Sequence, residues 1–175
     1  MTNHETLIAA ATAEDWDQPI PRSEVDQAIS SEDLEIGGAA YEIVSEDRRR
    51  RWIDPPLSSE ALQLLAMSYL GRCIEQDPKG DWCLSRYEAA WEAQRWILDN
   101  WEAEERSEQS LAKWKKWMEH LYRIGDGKIR RAVVDGILEH LFEEQDIQQQ
   151  FKDWSADPQL ETGYNEAKLW ADTQS

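Results

Sequence analysis

Residues that bend, staple or interrupt a backbone are scarce in this chain. Eight glycines and six prolines among 175 residues leave too little punctuation for the many tight turns of an all-β domain, and β-branched residues rarely cluster, so the composition favours helices. The two cysteines, Cys73 and Cys83, form no CxxC and have no matching histidine set, which argues against a zinc site and against a disulfide framework. A reduced thiol pair is the expectation. No apolar run approaches the roughly 20 residues that span a bilayer, and the start MTNHETLIAAATAEDW has neither a basic n-region nor a long apolar core. The expectation is therefore a cytoplasmic protein without a membrane partner. Bases are also in deficit, 19 against 36 acids.

What is abundant is acid and tryptophan. The formal net charge is −17 with ten tryptophans, and residues 1–47 carry twelve acids against the single base Arg22. Such a surface repels nucleic acid and speeds encounter with a basic partner, although solubility alone would also account for it.

Along the sequence, Thr2-x-x-Glu5 reads as a capping box and Ser23-x-x-Asp26 as a second start signal. Gly37-Gly38 is expected to break the next segment, and AAYEIVSEDRRRRWI to run as a helix that stops before Pro55-Pro56. From Ser58 the signals sharpen. Leu62, Leu65, Ala66, Tyr69, Leu70 and Cys73 share one helix face. A long helix is expected over about 83–105, with Ser107 capping the next, GDG at 125–127 ending that one, and Ile129, Val133, Ile137 and Leu141 leading another. Asp157-Pro158 reads as an N-cap followed by proline at the first helical position. At least five helices with short connections predict an all-α antiparallel bundle over 55–175, preceded by an acidic segment, 1–54, of short helices or irregular structure.

Within the long helix, Trp91, Trp96 and Trp101 point in three directions at about 100° per residue. The expected wide core face holds Leu84, Tyr87, Ala90, Trp91, Ile97, Leu98 and Trp101. Trp96 lies beyond a charged strip among Ala89, Ala93 and Ala103. Either that narrow stripe is buried by a close helix neighbour, or Trp96 anchors a partner, since tryptophan is enriched at interface hot spots.

Chemistry-bearing motifs are few. Arg48 to Arg51 directly follows Glu46-Asp47, so pairing with its own acidic neighbours is expected in place of a nucleic-acid patch. GDGK at 125–128 lacks the strand and spacing of a phosphate loop. His140 among Glu139, Glu143 and Glu144 lacks the paired Glu-x-x-His of a di-iron bundle. No cofactor, metal or catalytic set is expected. The acids Glu102, Glu104, Glu105 and Glu108 crowd one helix junction, where a macrodipole C-terminus disfavours them. Glu143, Glu144 and Asp146 repeat this further on. With Trp96 they form the candidate partner-binding set, and self-association through Trp96 is left open.

The stretch around Leu138-Glu139-His140-Leu141-Phe142-Glu143, with Trp154, Asp157-Pro158, Tyr164 and Trp170, is similar to the C-terminal part of small bacterial helical proteins. In general character the protein also resembles bacterial immunity proteins, which are small, acidic and occlude a cognate toxin. That resemblance implies a protein partner, a basic toxin or effector. The alternative is a helical adaptor or chaperone-like module with no inhibitory role.

Overall fold

The computed structural model describes residues 3–103 and 107–174. The architecture is all-α: helices occupy 74% of the protein and strand 2%. None of the described helices is long and apolar enough to cross a membrane. The fold divides into two compact units, Met1–Ser85 and Arg86–Ser175. The break thus falls after Ser85, not at the 54/55 boundary read from composition, because the helix that follows Ser58 packs on the acidic segment before it.

In the first unit, α1 (Asn3–Thr12), α2 (Arg22–Ile29), α3 (Leu34–Ser45), the single turn α4 (Asp47–Arg50) and α5 (Ser59–Gln76) surround one core. The central helix is α3, which touches α1, α2, α4 and α5. Gly37 and Gly38 do not break it. Both lie inside and are buried, because neighbours come too close for a side chain. A Cβ on Gly38 would sit 2.0 Å from the Trp82 carbonyl oxygen, and one on Gly37 would sit 3.2 Å from the Tyr69 ring. Glycine here serves close approach, not a turn. Tyr69 of α5 stacks on Tyr41 of α3 at 4.9 Å. Its hydroxyl accepts from the Leu84 amide at 3.2 Å and faces the Trp82 carbonyl at 3.4 Å. Glu35 accepts from the Trp82 amide at 3.0 Å and from the Cys83 thiol at 3.2 Å, so the 77–85 segment is latched to α3. Cys73 is buried and Cys83 half-buried, both as free thiols. Desolvation and the neighbouring Glu35 carboxylate push the Cys83 thiol up to about 11, which suppresses thiolate at neutral pH. The Arg72 guanidinium donates to the Ile29 and Ser31 carbonyls at the end of α2.

Two further local expectations fail in this unit. Ser23 is not a cap: α2 begins at Arg22 behind Pro21, because Ile20–Pro21 (β1) is held in a two-residue parallel ladder against Ile53–Asp54 (β2). The helix over 39–53 is also interrupted. Glu46 is extended between α3 and α4, and Arg50 Nη1 turns back to the Val44 carbonyl at 3.1 Å, satisfying an end carbonyl of α3. The Thr2 half of the Thr2/Glu5 box lies outside the described residues.

The second unit holds α6 (Arg86–Glu102), α7 (Glu108–Ile124), α8 (Gly127–Val133), a π-helical stretch (Val134–Leu138), α9 (Glu139–Leu141), α10 (Gln145–Gln150), a 3₁₀ turn (Lys152–Ala156) and α11 (Glu161–Gln174). Ser107 caps α7 by accepting from the Ser110 amide at 3.1 Å, and Asp126 caps α8 by accepting from Lys128 and Ile129, both at 2.9 Å. The Asp157 carboxylate accepts from the Gln159 amide at 2.9 Å. Its carbonyl takes the Leu160 and Glu161 amides, so regular helix starts only at Glu161. Phe142, Phe151, Trp154 and Tyr164 are buried together, with edge-to-face contacts of 5.3–5.5 Å among them. Such pairs add to area burial.

The faces of α6 differ from the expected ones. Ala89, Ala90, Ala93, Ile97 and Trp101 form the buried side, while Trp91 is 52% exposed and Tyr87 38% exposed. The cause is Gly136 in the π-helical stretch: a Cβ there would lie 2.6 Å from Ala90 Cβ. An approach that close admits only small residues at the contact, so the large rings move to its margin. Of the alanine stripe, Ala89 and Ala93 are buried and Ala103 is exposed, and Trp96 is half-buried beside them.

Candidate functional site

The acids singled out in the sequence occupy two junctions of the second unit. Glu102 ends α6 and Glu108 begins α7, both exposed. Glu104 and Glu105 lie outside the described residues. Glu143 and Glu144 are exposed in the turn between α9 and α10, and Asp146 is exposed in the first turn of α10. The Glu143 carboxylate is 3.2 Å from His140 Nδ1. The His140 ring meets Trp170 edge-on at 4.9 Å, a stacking partner that explains His140 without a metal. Burial, followed by the Asp135 charge, raises the Glu139 carboxyl above the usual range. Among the described residues no group of histidines, cysteines and acids is arranged to hold a metal.

The arginine run behaves as its acidic neighbours predict. Arg48 Nε lies 2.6 Å from Glu46, Arg49 pairs with Glu42 at 2.9 Å and with Glu46, and Arg50 pairs with Asp47. Arg51 departs from this: among the described residues no acid pairs with it, and its guanidinium lies 5.2 Å from the centroid of the Trp52 ring.

Sequence reasoning missed what this arrangement creates. The segment after α1 and the α4 turn enclose a cavity of about 240 Å³, lined by Ala13, Glu14, Asp15, Trp16, Asp17, Arg48, Arg49, Arg51 and Trp52. Two of the lining residues are held by hydrogen bonds to the chain beside them: the Trp16 indole donates to the Gln18 carbonyl at 2.6 Å, and the Trp52 carbonyl accepts from the Ile20 amide at 2.7 Å. Arg49 is 9% exposed, and its Nε is buried with no hydrogen-bond partner among the described residues. A buried N–H left unmade costs stability. The available signal in the sequence was a tryptophan ending each charged run, Glu14-Asp15-Trp16 and Arg51-Trp52, some 35 residues apart. The β1–β2 ladder and the packing of α1 on α3 bring the two runs together.

No family model, curated protein or solved structure matches the sequence.

Proposed function

We propose that the protein is a protein-binding inhibitor of the immunity-protein kind, acting in the cytoplasm on a basic toxin or effector. It would occlude a surface that otherwise holds phosphate. The observation that supports this reading is how the charges are distributed. Several bases are matched internally: Arg49, Arg50, Arg123 and Lys115 each pair with the protein's own carboxylates, and Arg131 with Asp135 and Glu166. The junction acids Glu102, Glu108, Glu143, Glu144 and Asp146 meanwhile face solvent. Excess negative potential, a net of −17, steers a cationic partner and repels nucleic acid.

A second reading, a helical adaptor, is favoured by one separate feature. Tyr87 and Trp91 form an exposed aromatic pair on α6, with ring centroids 6.3 Å apart. An apolar partner helix would bury these rings, which moves the aromatic anchor of this reading from Trp96 to Trp91.

Affinity capture from the native host with wild type and a Glu102/Glu104/Glu105/Glu108→Lys variant separates the two. The inhibitor reading expects a basic protein, retained at low salt, released at high salt and lost in the variant. Binding that resists salt and survives charge reversal, but is lost in Trp91→Ala, would replace it with the adaptor reading.

A further inference from the structure

We infer that the Trp16/Trp52 cavity receives an arginine side chain of the protein partner. This rests on the reading of that partner as basic, and adds where one of its charges is held. The first observation is the balance of charge around the space. Glu14, Asp15 and Asp17 line it and are exposed, and among the described residues no base pairs with any of them. Arg48 and Arg49 line it too, but their charges are matched by Glu46 and Glu42, which lie outside the lining. Arg51 remains, one unmatched base against three unmatched acids. An entering cation therefore meets net attraction, and an anion net repulsion.

The second observation is how the protein uses its own free base here. The Arg51 guanidinium lies over the Trp52 ring, 5.2 Å from its centroid, within the roughly 6 Å reach of a cation–π contact. Trp16 lines the same space and is half-buried, and among the described residues no cation lies over its ring. Its indole N–H is already spent on the Gln18 carbonyl, so what Trp16 has left to offer is its π surface. One indole thus carries a guanidinium, and the other, beside three unmatched carboxylates, is equipped for a second. Guanidinium suits that setting better than ammonium: it is planar, weakly hydrated, stacks on aromatic rings and can donate to a carboxylate at the same time. Size agrees, since 240 Å³ is below the roughly 300–1,000 Å³ of drug-sized pockets and fits one side chain, not a whole cofactor.

The test is a titration of the full-length ¹⁵N-labelled protein with the α-acetylated amides of arginine, lysine and citrulline, the last a neutral isostere of arginine. The indole N–H resonance of Trp16 is followed. The arginine amide is expected to shift it saturably, the lysine amide to bind more weakly, and the citrulline amide to leave it unmoved. In Asp15→Asn/Asp17→Asn the arginine affinity is expected to fall roughly three- to tenfold, the worth of two exposed charges. In Arg51→Gln, which removes the competing base, it is expected to rise. All three substituted positions are exposed, and the remaining indole resonances report whether each variant is folded. Absence of a saturable arginine shift overturns the site. So does equal binding of citrulline or lysine, or unchanged affinity in the folded variants. The partner reading fails separately. A basic protein captured from the host while the arginine amide leaves Trp16 unmoved overturns this site alone. Arginine binding at Trp16 with no basic protein captured overturns the partner reading while the guanidinium site stands.

Discussion

At the residue scale, the most informative side chains are those held against their ordinary chemistry. Glu139 is half-buried, and its carboxyl is held above the usual range, chiefly by desolvation and then by the Asp135 charge. The folded protein therefore holds the Glu139 proton more tightly than the unfolded chain does. Stability from this site is fully present below the ordinary glutamate range and is lost as pH rises through it to the higher folded value. Glu139→Gln is thus expected to stabilise the protein at neutral pH, with the gain shrinking as the pH falls toward the ordinary range. Urea unfolding of both proteins across that window measures it, and a gain that does not depend on pH would show that ionisation is not the cause. Arg49 presents the converse case, a guanidinium with its charge matched and one N–H left over. Sequence spacing made the pairing legible, since acids lie three and seven residues before it. The unsatisfied Nε was not legible, because it depends on which way a buried side chain turns.

At the element scale, glycine marks where two pieces of backbone meet. Gly38 lets the Trp82 backbone lie on α3. The obstructing atoms are main-chain, and a carbonyl latched through Glu35 and Tyr69 cannot move aside without breaking those bonds. Gly38→Ala is expected to destabilise by about 1–3 kcal/mol, the usual scale of overpacking. Gly127, at the first position of α8, has no atom within 4 Å of an added Cβ. Gly127→Ala should therefore be neutral or stabilise by up to about 1 kcal/mol. Denaturant midpoints of the two variants decide the matter, and equal effects would mean that helix propensity, not packing, sets the cost. The same logic explains α6. Gly136 presses on Ala90 within a π-helical stretch, which widens the local turn. The seam is thus built from small residues, and Tyr87 and Trp91 lie outside it.

On the scale of the whole molecule, charge dominates. A net of −17 repels itself within a compact fold, and the internal ion pairs only partly offset that. Exposed pairs are each worth little, so screening should relieve more repulsion than it removes attraction. The melting temperature is expected to rise with added sodium chloride up to a few tenths molar, where the screening length has fallen below about 10 Å. A falling midpoint would mean that the pairs around Arg49 and Arg123 carry more stability than the net charge costs. The same excess underlies the salt sensitivity expected of a basic partner.

Helical class, the cap at Ser107, the Ala66–Tyr69–Leu70–Cys73 face and the pairing of Arg48, Arg49 and Arg50 with their acidic neighbours follow from the sequence alone. Each depends on neighbours within a turn or two, where periodicity and charge spacing act directly. Tertiary structure decided the rest. Gly37-Gly38 reads as a break until Tyr69 and Trp82 are seen against it. Trp91 reads as core until Gly136 is found crowding Ala90. Trp16 and Trp52 have no relation until Ile20 pairs with Ile53. All three depend on contacts between residues far apart in the sequence, whose distances no local pattern encodes.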